Sequence, residues 1–435
     1  MRFPDISKIY SLFKEFPYVV TDSRRAVPHS LFFALKGENF NGNRFAELAL
    51  NQGCTYAVID EEKFYKGEQY ILVKDVLKTL QDLAKFHRAH LKIPFIAITG
   101  SNGKTTTKEL IKAVLSKKFR TLATEGNLNN HIGVPLTLLS INSEIEIAII
   151  EMGANHVGEI ALLCEIANPD YGLITNIGKA HIGEFGSFEN IVKAKTELFE
   201  FIREKNGKIF INAENDLLMK RSEGIEKITY GNSSTDFSQC IFVDANPNLK
   251  VKFENKIISS NLVGKYNIEN VAAAICVGKY FGVDEKNIKQ AIEEYVPSNN
   301  RSQFVQTENN SLILDAYNAN PSSMQAAIEN FSQLSGKEKW LILGDMLELG
   351  EYEIEEHKNI LKQISDKKFQ NVILVGERFS KALAESKISF LNIFLFKTSD
   401  ELVEKLKSTS SIKNSSLILI KGSRGMKLEK AVEYL

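Results

Sequence analysis

Short apolar runs of strand length alternate along most of the chain with longer stretches whose apolar positions recur at helical spacing. In the middle of the chain, runs at 95–99, 146–152, 171–175 and 208–212 predict strands, and 105–118, 157–167 and 188–203 predict helices. That rhythm predicts a parallel sheet. Between 230 and 263 short alternating segments predict an antiparallel excursion, and helices at 267–280 and 284–295 close the unit before Pro297. From Asn300 the alternation restarts, with strands at 312–316, 340–344, 372–375, 393–396 and 417–421, each followed by a helix-like segment. This is a second α/β sheet of Rossmann-like topology. The N-terminal segment is more mixed, with buried strands at 31–35 and 56–59 and helical spacing over 44–51 between them. From His87 to Lys92 the chain turns polar and basic before Pro94 opens the strand at 95–99, so the first boundary is expected there.

At 435 residues the chain is long enough for roughly three domains. Its 54 Lys plus Arg balance 54 Asp plus Glu, which excludes the basic footprint of a generic nucleic-acid binder. The run 145–150 is only strand-length and contains Glu146, so no membrane insertion is expected. Cys54, Cys164, Cys240 and Cys276 form no C-x-x-C pair, which fits neither a zinc knuckle nor a disulfide framework and suggests a reducing compartment. Met1-Arg2-Phe3-Pro4-Asp5 is followed by no apolar signal segment, so the expected location is cytoplasmic.

The strongest local signal is Thr99-Gly100-Ser101-Asn102-Gly103-Lys104-Thr105-Thr106-Thr107. It follows an apolar strand and opens a helix, the context a phosphate-binding loop requires. Glycines let backbone N–H groups close on phosphate oxygens, and the helix N-terminus adds partial positive charge. Lys104 is placed to meet the β- and γ-phosphates and the Thr105 hydroxyl to ligate Mg²⁺. Ile98 stands where the first Gly of G-x-x-x-x-G-K would be, so this is the shorter G-x-x-G-K-T-T loop. The expectation is ATP binding in a central P-loop ATPase-like α/β domain.

Glu151 ends an apolar strand, where the ligand crevice of an α/β sheet opens, and a carboxylate there suits Mg²⁺. His181 lies in a Gly-rich loop after the strand at 171–175; His131 and His156 sit in similar loops, and position alone does not separate the three. Lys195, in Lys193-Ala194-Lys195-Thr196-Glu197, reads by pattern as a solvated lysine on a charged helix face.

Three motifs in order, Gly100 to Thr106, Gly126-Asn127-Leu128-Asn129-Asn130-His131-Ile132-Gly133-Val134-Pro135 and Glu151-Met152-Gly153-Ala154-Asn155-His156, resemble the Mur ligases in order and spacing. The resemblance continues through Thr21-Asp22-Ser23-Arg24, Phe33-Ala34-Leu35-Lys36-Gly37-Glu38, Asp315-Ala316-Tyr317-Asn318-Ala319-Asn320-Pro321, Leu343-Gly344-Asp345-Met346-Leu347-Glu348-Leu349-Gly350 and Lys421-Gly422-Ser423-Arg424-Gly425-Met426. Within the family it is similar to the branch that joins D-alanyl-D-alanine to UDP-N-acetylmuramoyl-tripeptide. The alternative is the sister branch that adds the third, diamino acid residue, but its Asp-Asn-Pro-Arg motif does not occur.

The resemblance implies three α/β domains: a small mixed UDP-precursor-binding domain (1–86), the central ATP-binding domain (87–297), and a Rossmann-like C-terminal domain (298–435) that closes on ATP and binds the dipeptide. It implies that Gly100, Ser101, Asn102, Gly103, Lys104, Thr105 and Thr106 hold the triphosphate, with Asn267 and Asn270 around the base, Arg301 at the γ-phosphate and Asp315 at the ribose. Lys104, Glu151, His181 and Lys195 form the implied catalytic set. Thr105 and Glu151 would bind one Mg²⁺, and His181 a second. Lys195 resembles the family's carbamylated lysine, formed with CO₂ and also a Mg²⁺ ligand. Ser23 and Arg24 are implied near the precursor diphosphate, Asn129 and Asn130 at the muramoyl portion, and Asn318 and Asn320 on the dipeptide side. A monomer is expected. Two departures stand out: Asn41-Gly42-Asn43 where relatives commonly have Asp-Gly-His, and Asn299-Asn300-Arg301 where they commonly have Gly before the Arg.

Overall fold

The computed structural model describes residues 3–298, 300–336, 338–408, 412 and 414–435. Three main sheets organise them. The central sheet has nine strands, ordered Lys256–Val263, Asn248–Phe253, Ser238–Ala245, Glu226–Gly231, Lys208–Asn212, Tyr171–Ile174, Phe95–Thr99, Ile147–Glu151 and Thr121–Ala123. From Ser238–Ala245 to Lys256–Val263 the pairing is antiparallel, and elsewhere parallel. Phe95–Thr99 and Ile147–Glu151 are buried at every position, because helices cover both faces of a parallel sheet. After Ile147–Glu151 the chain crosses to the far side of Phe95–Thr99 to form Tyr171–Ile174. This switch opens a crevice at the carboxyl ends of the three strands, where Thr175, Gly100 and Glu151 follow one another in space.

The C-terminal sheet is ordered Gln303–Gln306, Ser311–Asp315, Leu417–Lys421, Lys339–Gly344, Asn371–Val375 and Asn392–Phe396; only its first pair is antiparallel. Asp315 and Lys421 thereby end adjacent strands. The N-terminal sheet is parallel, ordered Tyr18–Val20, Ser30–Phe33, Tyr56–Ile59 and Tyr70–Leu72.

The helices Ile6–Glu15 and Val76–His90 add to the elements expected of the N-terminal segment. The second runs unbroken through His87 to His90. His87 and Arg88 are buried. The Arg88 guanidinium lies 3.7 Å over the Phe95 ring and donates to the carbonyls of Ala167 and Asn168, each at 2.8 Å. These carbonyls close the helix Glu159–Ala167, where a cation is favoured. Arg88 thereby ties this helix to the central unit.

Asn299 lies outside the described residues. Asn300 has φ +56°, a left-handed conformation that Asn tolerates better than most residues, which accounts for Asn standing where Gly is common. At the other departure, Asn41 caps the turn Gly42–Phe45, and Asn43 is buried against Asp60, donating to its carboxylate at 2.8 Å.

Candidate active site

The phosphate-type loop rides on the end of the neighbouring strand. Ser101 N–H donates to the Asn176 carbonyl at 2.9 Å, Asn102 N–H to Asn176 Oδ1 at 3.0 Å, and the Thr175 hydroxyl to the Asn102 carbonyl at 2.6 Å. Gly100 (φ +141°) and Gly103 (φ +78°) make the turn into the helix Lys104–Leu115. A Cβ on Gly100 would fall on the Thr175 hydroxyl. Gly100→Ala is therefore expected to destabilise the fold by about 1–3 kcal/mol and to weaken nucleotide binding, with calorimetric titration of ADP and thermal melting as the readouts.

Lys104 Nζ folds back onto the loop, donating to the carbonyls of Gly100 (2.7 Å) and Ser101 (3.3 Å). Burial pulls its pKa below the usual lysine value; Glu151 opposes this and Arg301 adds to it. Glu151 is 2 % exposed. Its Oε1 accepts from Asn129 Nδ2 (2.9 Å) and the Thr105 hydroxyl (3.2 Å), whereas its buried Oε2 has no hydrogen-bond donor. Oε2 lies 3.8 Å from Nζ of Lys108, a fully buried lysine that donates to the Thr124 carbonyl at 2.6 Å. Lys108 was not singled out in the sequence because it reads as one more polar residue on an amphipathic helix.

A cleft of about 500 Å³ opens over these groups between the central and C-terminal units. It is lined by Ser101 to Thr106, Asn129, Glu151, His181, Asn267, Asn270, Arg301, Asp315, Asn318 and Asn320. Asn270 Oδ1 accepts from the Thr107 hydroxyl (2.9 Å) and its amide donates to Asn267 Oδ1 (2.8 Å), tying both asparagines to the loop helix. The Arg301 guanidinium lies 3.6 Å over the Tyr317 ring, and its buried Nε has no partner. Asp315 is held by Lys421 Nζ at 2.6 Å. Asn320 caps the helix Pro321–Gln333 and reaches across the cleft to Asn102 Oδ1 at 2.8 Å. Asn318 Oδ1 accepts from the Ala319 N–H.

Lys195 sits behind the cleft wall. It is 2 % exposed, donates to the Ala154 carbonyl at 3.2 Å and lies 5.4 Å from the centre of the Phe185 ring. Burial, helped by Lys104 and opposed by Glu159 and Glu197, brings its pKa down to about 7. The solvated reading suggested by the surrounding charges is overturned. Asn130 is not among the lining residues; its Oδ1 accepts from the N–H groups of Ile132 and Gly133 at the start of the helix Gly133–Leu139.

The chain's own sequence matches three family descriptions in order: the Mur ligase family catalytic domain over residues 16–88, the Mur ligase middle domain over 98–278, and the Mur ligase glutamate ligase domain over 300–424. The UDP-N-acetylmuramoyl-tripeptide–D-alanyl-D-alanine ligase of Bacillus subtilis (strain 168) is 38 % identical over 427 residues, covering 96 % of this chain and 92 % of the relative. The chain belongs to the Mur ligase family. The enzyme of the same name from Escherichia coli (strain K12) is 33 % identical, with 96 % of this chain and 93 % of the relative covered. Among solved structures, MurF from Acinetobacter baumannii superposes with a TM-score of 0.85 at 29 % identity, covering 96 % and 92 % of the two chains. MurF ligase from Thermotoga maritima in complex with ADP gives 0.83 at 26 %, covering 96 % of each.

In this Mur ligase, Ser23 and Arg24 lie away from the nucleotide cleft. Ser23 is buried, and Arg24, 85 % exposed at its side chain, pairs with Asp22 at 2.7 Å. A second cavity of about 1030 Å³ separates the N-terminal and central units, lined by Asp22 and Arg25, with Tyr18, Leu128 and Leu136 among its apolar walls. The four cysteines are free and buried, and no described helix is long and apolar enough to cross a membrane.

Proposed function

We infer that this Mur ligase joins D-alanyl-D-alanine to UDP-N-acetylmuramoyl-tripeptide at the expense of ATP, releasing ADP and phosphate, in peptidoglycan precursor biosynthesis. The observation that carries the reading is one crevice holding a phosphate-type loop, Lys104, Thr105 and a buried, donor-free carboxylate oxygen of Glu151, in a chain matched over 96 % of its length by enzymes of that name. The sister, diamino-acid-adding branch gains no support from these relatives.

In the proposed reaction, a carboxylate oxygen of the tripeptide attacks the γ-phosphorus of ATP, and the bond to the β–γ bridging oxygen breaks. ADP leaves and an acyl phosphate forms. The dipeptide amine then attacks the acyl carbon, loses a proton, and phosphate departs. A carboxylate is a poor electrophile with a poor leaving group, and phosphorylation remedies both, so the protein has mainly to position groups and offset charge. Lys104 would leave its loop carbonyls for the β- and γ-phosphates, with Gly100, Ser101, Asn102, Gly103 and Thr106 supplying the loop around them. Arg301 would use its free Nε edge on the γ-phosphate, where planar guanidinium geometry suits two oxygens. Asn267 and Asn270 would flank the base, and Asp315, steadied by Lys421, would meet the ribose.

Glu151 Oε2 and the Thr105 hydroxyl suit a hard divalent cation, since the carboxylate oxygen is buried with no donor of its own. Mg²⁺ held by those two oxygens would supply positive charge against the phosphates. We assign His181 and Lys195 to a second Mg²⁺. The fit of Lys195 depends on its chemistry: a buried amine with a pKa of about 7 is about half uncharged at neutral pH, and the uncharged form can add CO₂ with loss of a proton, leaving an anionic oxygen donor in place of the amine. Asn129 would face the muramoyl portion and Ser23 and Arg24 the diphosphate, with Asn130 acting through the backbone it caps. Asn318 and Asn320 would face the dipeptide. We take residues 1–86, 87–297 and 298–435 as the working division, and the enzyme as a cytoplasmic monomer.

Phosphate release from ATP and Mg²⁺ tests the reading directly. Release should require both UDP-N-acetylmuramoyl-tripeptide and D-alanyl-D-alanine, with a new amide confirmed by mass. Release driven by the dipeptide-stage precursor and a free diamino acid would assign the chain to the sister branch, and no release with any acceptor would end the ligase reading.

A further inference from the structure

Lys108 is fully buried on the helix Lys104–Leu115, one turn beyond the lysine of the phosphate-type loop, and the reaction above gives it no task. A buried ammonium persists only where its charge is answered and its donors are used. Its Nζ donates to the Thr124 carbonyl at 2.6 Å and lies 3.0 Å from Oε1 of Glu109, whose side chain is 39 % exposed and therefore screened by water. Glu151 Oε2 stands 3.8 Å from the same Nζ, too far for a hydrogen bond but close for two charges in a buried setting. Among the described residues, Lys108 is the only basic side chain that forms an ion pair with Glu151. Lys104 is turned onto its loop carbonyls instead.

Thr124 fixes the geometry of both partners. It is buried, its carbonyl holds the Lys108 ammonium, its hydroxyl accepts from the Glu151 N–H at 2.9 Å, and its own N–H donates to the Ile149 carbonyl at 3.0 Å. Asn129 and Thr105 take Glu151 Oε1. Oε2 is thus the oxygen left for a cation, with an anchored positive charge beside it.

We propose that Lys108 is a positioning residue that acts on the cation through Glu151: its ammonium is the carboxylate's counter-charge before a divalent cation enters, and it holds down the affinity of Glu151 for a free cation, so that firm binding requires the nucleotide's phosphates as well. The ammonium is tied to Thr124 and does not move aside, so a divalent ion at Oε2 meets the repulsion of a fixed, poorly screened charge. Phosphate oxygens bring the negative charge that offsets it. The sign of the effect separates this role from a structural one. A lysine that only pinned Thr124 would, when removed, loosen the strand end and weaken cation binding; removal of a repelling charge strengthens it.

This inference rests on Glu151 being a ligand of the cation, and the experiment separates the two. Mn²⁺ would be titrated into the full-length protein with and without saturating ADP, read by electron paramagnetic resonance, beside melting temperature in EDTA and in Mn²⁺. In Lys108→Met, which nearly keeps the length of the side chain and removes its charge, Mn²⁺ affinity without ADP is expected to rise about tenfold. Its melting temperature in EDTA should fall, because Glu151 becomes a buried charge without its partner, and Mn²⁺ should restore more of it than in the wild type. Lys108→Arg, which keeps the charge, should bind Mn²⁺ as the wild type does. Equal or weaker Mn²⁺ binding in Lys108→Met, undetectable binding included, while Glu151→Gln loses Mn²⁺ binding in the presence of ADP, would overturn the proposal alone. Wild-type Mn²⁺ binding by Glu151→Gln with ADP would remove the ligand assignment and the proposal together. A gain in Lys108→Arg as large as in Lys108→Met would show that charge is not the cause, and would also overturn it. If Lys108→Met fails to fold, Lys108→Gln, which keeps an N–H donor without the charge, carries the same comparison.

Discussion

Lys104→Ala is expected to reduce ligation by about 10³-fold while leaving binding of the UDP-precursor unchanged, because its ammonium is the cation nearest the phosphate-type loop. In the nucleotide-free chain that ammonium is satisfied by the carbonyls of Gly100 and Ser101, and burial disfavours its charge, so the site is arranged to exchange those carbonyls for phosphate oxygens. Removing the side chain therefore costs the folded protein little. Steady-state phosphate release and calorimetric titration of the UDP-precursor check both halves. Retained turnover would remove Lys104 from the triphosphate, and loss of precursor binding would show that the substitution damages the fold.

Lys195→Ala should lose ligation to a similar extent, with partial recovery on adding a small carboxylic acid that fills the vacated space and supplies the missing anionic oxygens. No recovery with formate or acetate would count against a carbamate. The wild-type enzyme should need CO₂, and its activation should slow below pH 7 as the amine takes up a proton. A stability effect follows with a defined sign. With a folded pKa of about 7 against an ordinary 10.5, the folded state binds fewer protons over that window, so in CO₂-free buffer this group makes stability rise with pH from 7 toward 10.5. Below pH 7 the penalty is full, on the order of 5 kcal/mol, and Lys195→Met should raise the melting temperature most there. An equal effect at pH 6 and pH 10 would contradict the assignment of a buried amine.

Several parts of the site were legible because they are local. Strand, glycine-rich turn and helix run consecutively from Phe95 to Leu115, and the two positive φ angles fall on Gly100 and Gly103, where the sequence already places the residues that tolerate them. Glu151 was legible from the fully apolar run that ends on it. Other residues were not. Lys108 and Lys195 stand among charges on amphipathic helices, and the same pattern describes a solvated lysine and a buried one; only the tertiary structure separates them. Asn130 carries a side chain that could meet a sugar, yet its oxygen closes the first turn of a helix, a use visible only when the following backbone is in place.

By itself the sequence determined much of the succession of elements, the phosphate-type loop and, through long ordered resemblance, the family and its reaction. Periodicity is a property of neighbours in the chain, and burial follows from it wherever a strand is covered on both faces. The tertiary structure alone decided which distant charges meet. Arg88 finds the carbonyls of Ala167 and Asn168, Lys421 finds Asp315, and Glu348 finds His181, each partner lying far along the chain. Such pairings depend on strand order and on the angle between sheets, and neither is encoded in the spacing of any single segment.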